Sequence, residues 1–158
     1  MWKVKKSKVH GSGIFASKKI RKGTNIIEYI GEKILKKEGD KRSEKRIKKY
    51  LHSKSTGSVY IFELNKKYDI DGSPYYNKAR YINHSCDPNC EVFGTGLKVW
   101  VYAMKNIKKG DELSYDYGFS FDEDFKNYPC KCNSKNCCGY IVRQGSRWRI
   151  KKSLNASK

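Results

Sequence analysis

A mostly β domain with a minor helical insert is the fold class this sequence predicts, on three observations. Short runs of β-branched and aromatic residues, punctuated by glycine-containing turns, recur along most of the chain. One stretch abandons that habit: between Lys36 and Leu51, Ile47, Tyr50 and Leu51 fall at i, i+3 and i+4 in a charged background. That is the spacing of an amphipathic surface helix. The length of 158 residues suits one domain with a modest core.

Taken in order, the first strands lie between Val9 and Ile30. Gly11-Ser12-Gly13 marks an early turn, Ile20, Ile26, Ile27, Tyr29 and Ile30 supply the apolar runs, and Lys22-Gly23 and Gly31 separate them. The helical insert occupies about residues 36–52. Strand patterns return at Val59-Tyr60-Ile61-Phe62, from Leu97 to Tyr102 and at Leu113-Ser114-Tyr115. The last segment, 143–158, is basic and aperiodic, and is expected to fray or lie along a surface. Three scattered prolines make no linker, and no internal repeat stands out.

The formal charge is +19, from 35 Lys plus Arg against 16 Asp plus Glu. Its distribution is uneven. Residues 1–54 hold 18 basic and 5 acidic side chains, residues 108–125 hold 2 and 6, and residues 126–158 hold 9 and none. Two basic ends flank an acidic stretch; they suit either a solvated surface or non-specific contact with nucleic-acid phosphate. No apolar run of about 18 residues occurs, which argues against a membrane span. No apolar segment follows the charges of the first residues, so no secretory signal peptide is expected. An intracellular protein is the expectation. There, six clustered cysteines read as metal ligands rather than disulfides.

Cys130, Cys132 and Cys137 form C-x-C-x4-C with Cys138 next, and Cys86 and Cys90 lie upstream. A structural zinc needs four soft ligands in a closed tetrahedron. Three come from this cluster, and the fourth is either Cys138 or a residue donated from afar. Gly11-x-Gly13 and Gly94-x-Gly96 do not lead from a strand into a helix, so they read as tight turns rather than dinucleotide-binding loops. Strand alternation puts Tyr115 and Tyr117 on one face, where core packing with satisfied hydroxyls is the plain expectation. No Ser/His/Asp set, histidine metal triad or phosphate cradle is visible.

Chain order changes that plain picture. Gly11-Ser12-Gly13-Ile14-Phe15-Ala16, Ile27-Glu28-Tyr29-Ile30-Gly31-Glu32, Tyr60-Ile61-Phe62 and Ile70-Asp71 come first. Then follow Ala79-Arg80-Tyr81-Ile82-Asn83-His84-Ser85-Cys86-Asp87-Pro88-Asn89-Cys90, Lys109-Gly110-Asp111-Glu112-Leu113-Ser114-Tyr115-Asp116-Tyr117-Gly118, and the late cysteines. From about His10 to Ile141 the chain resembles the SET-domain lysine methyltransferases with a post-SET zinc motif. Three departures stand out. Tyr76 replaces the glycine expected before Asn77, no cysteine-rich segment precedes residue 10, and the insert from Lys33 to Ser58 is short and very basic.

The resemblance implies a β fold with pseudoknot-like threading, in which the segment of Tyr115 and Tyr117 passes beside that of Asn83 to Cys86. It implies a SET domain over 1–122, a post-SET zinc motif over 123–142 and a basic tail over 143–158. S-adenosylmethionine would be held by the backbone around His10, Gly11, Ser12 and Gly13 and by Asn83 and His84, with Tyr60 between cofactor and lysine channel. Tyr117 matches the catalytic tyrosine, and Tyr115 the aromatic position that sets how many methyl groups are added. Cys86 matches the fourth ligand of one zinc ion beside Cys130, Cys132 and Cys137, with Cys90 and Cys138 set aside. The implied activity is methyl transfer to a protein lysine, mainly once per lysine, on histones or other basic chromosomal proteins. The rival is a zinc-stabilised nucleic-acid-binding module without catalysis. Such a module would be expected to lack Tyr117 or Asn83, and both are present.

Overall fold

The computed structural model describes residues 1–53 and 59–150. Residues 54–58 of the basic insert and 151–158 of the basic tail lie outside the described residues. In chain order the elements are β1 (Trp2–Lys6), β2 (Ser12–Ala16), β3 (Asn25–Tyr29), β4 (Glu32–Leu35), α1 (Lys36–Ser53), β5 (Ile61–Glu63), β6 (Tyr68–Asp71), β7 (Asn83–His84), β8 (Cys90–Thr95), β9 (Lys98–Ala103) and β10 (Ser114–Tyr115). The mostly β class with one helical insert is therefore observed. Among the described residues no helix is long and apolar enough to cross a membrane. The chain divides into two compact units.

The first unit gathers Met1–Thr24, Tyr81–Glu91 and the chain from Ala103 onward. β1 and β2 pair antiparallel, with Val4 opposite Ile14. The turn between them places Gly11 at φ +46°, a region glycine enters without a Cβ penalty. β2 buries Ile14 and Ala16, and the Leu113 N–H donates to the Ile14 carbonyl (2.7 Å). β7 and β10 run parallel, Ser114 opposite Asn83 and Tyr115 opposite His84. This is the side-by-side passage expected of those two segments. Ile14, Ile20, Ile82, Ile107 and Leu113 fill the interior beneath it, each at most 2% exposed.

Two loops of this unit face each other as near copies. Ala16-Ser17-Lys18-Lys19-Ile20-Arg21-Lys22-Gly23 meets Ala103-Met104-Lys105-Asn106-Ile107-Lys108-Lys109-Gly110. Ile20 and Ile107 exchange both backbone hydrogen bonds at 2.9 Å. Gly23 N–H donates to the Ala103 carbonyl (2.7 Å), and Gly110 N–H donates to the Ala16 carbonyl (2.8 Å). The expectation of no internal repeat fails at this eight-residue scale, because the echo is too short to register until pairing aligns it.

The unit ends in a small aromatic cluster of Phe125, Val142 and Ile150, with Phe121, Tyr140 and Cys138 against it. A tail that frays is not what the structure gives over 143–150. Ile150 is buried at 2% exposure, and Arg147 donates to the Val142 carbonyl (2.8 Å). A single buried apolar residue, Ile150, produces no periodic signal, yet with the Arg147 hydrogen bonds it docks the segment.

The second unit comprises Asn25–Arg80 and Val92–Tyr102. It holds one antiparallel sheet in the order β3-β9-β8, with Tyr29 opposite Val99, and another in the order β4-β6-β5. α1 packs on β4 and β6. Gly39 lies within the helix, and a Cβ there would sit 2.3 Å from Asp69 Oδ2, so close packing compensates its poor helix propensity. The basic insert is only partly a solvated face. Arg42 and Arg46 turn inward and donate to the 2%-exposed Asp71 carboxylate at 2.9–3.0 Å. Burial alone would raise the Asp71 pKa; the two guanidinium groups and Ser73 outweigh it and hold the carboxyl far below its ordinary range.

Candidate active site and metal centre

The glycine turn and β7 meet through one amide. Asn83 Nδ2 lies 3.1 Å from the Ser12 carbonyl, 3.4 Å from that of His10 and 2.8 Å from Glu112 Oε1. Glu112 also accepts from Ser7 Oγ at 2.7 Å. A Cβ at Gly13 would fall 2.3 Å from the Glu112 carboxylate, so a larger residue here would have to displace Glu112 from Ser7 and Asn83. His10, Gly11 and Ser12 are exposed and Gly13 is buried, so the turn offers its outer backbone to a ligand while its inner side is locked. The sequence pattern does not single out Ser7 and Glu112, because their link joins residues 105 apart in the chain.

His84 is 3% exposed, and its Nδ1 accepts the Tyr117 backbone N–H at 3.2 Å. Burial pushes its pKa down to about 4, opposed by Asp116 and reinforced by Arg147, so the imidazole is neutral near pH 7 and acts as an acceptor. The side chain is thus committed to holding Tyr117. Tyr117 Oη donates to the Ile82 carbonyl at 3.1 Å. Its ring lies 5.0 Å from Tyr115, 5.3 Å from His84 and 5.9 Å from Phe119, which in turn meets Tyr128 at 5.3 Å. Tyr115 is 8% exposed. Together these rings make an aromatic wall. Phe119 continues the aromatic run of Tyr115 and Tyr117 in the sequence, and Tyr128 joins it although the sequence pattern gives no reason to pick it.

Tyr60 belongs to the second unit. Its carbonyl accepts from Tyr29 Oη (3.0 Å) and from Gly72 N–H (2.8 Å). Its ring carries the Arg80 guanidinium at 4.2 Å, a cation–π contact, and Arg80 Nη1 donates to the Ser73 carbonyl. Tyr60 is held by backbone and stacking rather than by its hydroxyl.

The sulfur atoms of Cys86, Cys130, Cys132 and Cys137 all lie within 4.8 Å of one another. Cys86 arrives from the turn after β7, and the others from a loop closed by the Pro129–Tyr140 bridge and by Cys130 N–H donating to the Gly139 carbonyl (2.8 Å). Burial pushes the Cys86 thiol up to about 12; at Cys132 burial acts the same way, but N–H and hydroxyl donors outweigh it and hold the thiol near 6. Four sulfurs at this spacing, partly buried, fit a tetrahedral zinc ion, whose charge would keep all four as thiolates. Cys138 Sγ is also close to Cys86 Sγ, at 3.7 Å, but its thiol donates to the Tyr140 carbonyl at 3.2 Å. Cys90 is 1% exposed in the core, its thiol pushed up to about 12 by burial.

Asp116, between the two tyrosines, joins the wall to the cysteine cluster. It accepts from Arg147 Nη2 (2.7 Å) and Gln144 N–H (2.9 Å), and Arg147 Nη1 donates to the Cys86 carbonyl (2.7 Å). Arg147 therefore braces the docked tail, the β10 segment and a cysteine ligand at once. Nothing in the local pattern of residues 143–150 marks it.

Comparison with known proteins gives a consistent picture. A family profile described as the SET domain matches residues 11–118. The chain is 39% identical over 136 residues to histone-lysine N-methyltransferase 2D of Homo sapiens, covering 84% of this chain and 2% of that protein. It is 40% identical over 136 residues to histone-lysine N-methyltransferase trr of Drosophila melanogaster, 84% of this chain and 5% of that one. It is 40% identical over 139 residues to histone-lysine N-methyltransferase set1 of Dictyostelium discoideum, 85% and 9%. The chain thus spans a small fraction of the length of these curated relatives.

Proposed function

This chain belongs to the SET-domain family, and from that premise we propose that it transfers a methyl group from S-adenosylmethionine to a protein lysine, on histones or other basic chromosomal proteins. One observation supports this most. The parallel pairing of β7 and β10 brings Asn83, the 10–13 turn, Tyr115 and Tyr117 into one unit, with the Tyr117 hydroxyl on the Ile82 carbonyl.

S-adenosylmethionine, when bound, supplies a methyl group activated by its sulfonium. The backbone of His10, Gly11, Ser12 and Gly13 and the Asn83 amide would hold it, with His84 contributing through its backbone because its imidazole is engaged elsewhere. The chain's other task is to present a neutral amine. Free lysine, with a pKa of about 10.4, is neutral in only about one molecule in 2,500 at pH 7. An aromatic wall desolvates the ammonium and lowers that pKa. The Tyr117 hydroxyl and Ile82 carbonyl then aim the Nζ lone pair along the carbon–sulfur axis, where orientation supplies much of the rate. One Nζ proton would pass to water before transfer, so that the neutral amine is held with its lone pair facing the methyl group that the donor would supply.

Cys86, Cys130, Cys132 and Cys137 would hold one structural zinc ion, anchoring the 123–142 motif and, through Arg147, the start of the 143–158 tail onto the 1–122 domain. The acidic stretch from Asp111 to Asp124 suits a basic substrate tail. Incubation with radiolabelled methyl donor and a panel of histones, chromosomal proteins and ribosomal proteins is expected to label lysine in a histone. A protein that binds the donor yet labels nothing in the panel would overturn the assignment.

The product is expected to be mainly monomethyl-lysine because residue 115 is Tyr. A second methyl must turn toward the Tyr115 hydroxyl, displacing a water or stranding a buried hydroxyl at a cost of about 1–3 kcal/mol. That slows the second transfer roughly ten- to hundredfold. Tyr115→Phe is expected to shift the product toward di- and trimethyl-lysine with the first transfer largely kept. Mass spectrometry of a single-lysine peptide over a time course reads this, and abundant trimethyl product from the unmutated protein would remove Tyr115 from the role.

A further inference from the structure

The paired loops at Ile20 and Ile107 carry more than a backbone echo. Lys18, Lys19, Arg21 and Lys22 on one loop and Lys105, Lys108 and Lys109 on the other are all exposed. Lys18 corresponds to Lys105, Arg21 to Lys108 and Lys22 to Lys109 in the repeat. The reciprocal bonds of Ile20 with Ile107, of Gly23 with Ala103 and of Gly110 with Ala16 give the two loops a local two-fold relation. The left-handed glycines Gly23 (φ +80°) and Gly110 (φ +95°) end both. Among the described residues, Lys105 alone of the seven is ion-paired, to Asp87 at 3.1 Å. Asp111, the acid at the loop end, is occupied with the Lys108 backbone N–H at 2.9 Å.

We infer that this knuckle binds the phosphate backbone of duplex DNA without reading its sequence. Two features favour that partner over an acidic protein. The cations are repeated about a local two-fold, and the two backbones of a duplex are themselves related by local two-folds. The loops are pinned by backbone bonds, so the charges are displayed with no folding cost on binding. A second basic element, α1, is less suited: its outer face mixes Lys37, Lys41, Lys45 and Lys48 with Asp40 and Glu44, and its two arginines are spent on Asp71. The inference deepens the chromosomal reading of the substrate but needs neither cofactor nor catalysis.

The test compares the full chain with a Lys18→Gln/Lys22→Gln/Lys105→Gln/Lys109→Gln variant and with a Lys37→Gln/Lys41→Gln/Lys45→Gln variant, all checked for unchanged thermal melting. Binding to a fluorescent 20-base-pair duplex is followed by anisotropy across a salt series. Each phosphate contact contributes about 0.9 to the slope of log affinity against log salt. The knuckle variant is expected to lose about 3 in slope and at least tenfold in affinity at low salt. The α1 variant is expected to lose less than threefold, and both variants to methylate a free peptide at the unmutated rate. Equal losses in the two variants, no loss in the knuckle variant, or displacement of the duplex by polyglutamate at equal charge concentration would each overturn the inference. If peptide methylation is absent throughout while the binding difference persists, the proposed activity fails and the knuckle stands.

Discussion

Tyr117→Phe is expected to bind S-adenosylmethionine with near-unchanged affinity and to turn over at least tenfold more slowly. The phenol is held from both ends. Its backbone N–H is fixed by His84, and its hydroxyl by the Ile82 carbonyl at 3.1 Å. The neighbouring rings at 5.0–5.9 Å keep the side chain in place when the oxygen is removed, so the substitution deletes one oriented polar group and little packing. An interaction made mainly in the transition state lowers the rate without much affecting ground-state binding. Tenfold corresponds to about 1.4 kcal/mol of barrier. Calorimetry for the donor and initial rates for a peptide separate the two effects. Intact binding with a loss smaller than tenfold would mean that another group orients the amine.

Replacing Cys86 by Ser is expected to take the metal content from one zinc ion per chain to near zero, while Cys138→Ser leaves it near one. Cys86 is the one member of the cluster from outside the 130–137 loop. Without it three thiolates remain on a short segment, and a closed structural site becomes an open one. Metal binding at such sites is worth on the order of 10 kcal/mol and is coupled to folding, so the segment beyond Gly118 should become sensitive to proteases. In Cys138→Ser the hydroxyl can still donate to the Tyr140 carbonyl, preserving the bond the thiol makes. Elemental analysis with limited proteolysis reads both outcomes. Equal metal loss in both proteins would show the ligand set to be different.

Much of the fold class and of the candidate site was legible because it is written in contiguous blocks. The block from Ala79 to Cys90 and that from Lys109 to Gly118 carry their own order, and α1 shows its 3.6-residue spacing. What stayed hidden is what joins distant residues. Glu112 is an unremarkable acid until Ser7 and Asn83 are seen to converge on it. Arg147 looks like one more charge in a basic tail until Asp116 and the Cys86 carbonyl are seen to accept its hydrogen bonds. Arg42 and Arg46 look like a solvated helix face, and only a buried carboxylate supplied by another strand reveals their inward turn. Local periodicity encodes which side of an element is apolar; it does not encode which polar groups will find each other.

The two-residue parallel ladder between β7 and β10 bears on the order in which this protein comes into being. Asn83 cannot meet Ser114 until the chain between them, including β8 and β9, has been made and gathered. Non-local pairing of that kind defers its reward until loop-closure entropy has been spent, and it slows folding. The β1–β2 hairpin and α1 need only their own neighbourhoods and can form early on an emerging chain. The wall of Tyr115 and Tyr117 waits for the late ladder, and the cysteine cluster waits for the loop beyond it. A nascent chain therefore displays a glycine turn and a basic helix well before it owns a place to put a lysine, and competence arrives only once the segment from Ser114 through the cysteine loop has been made.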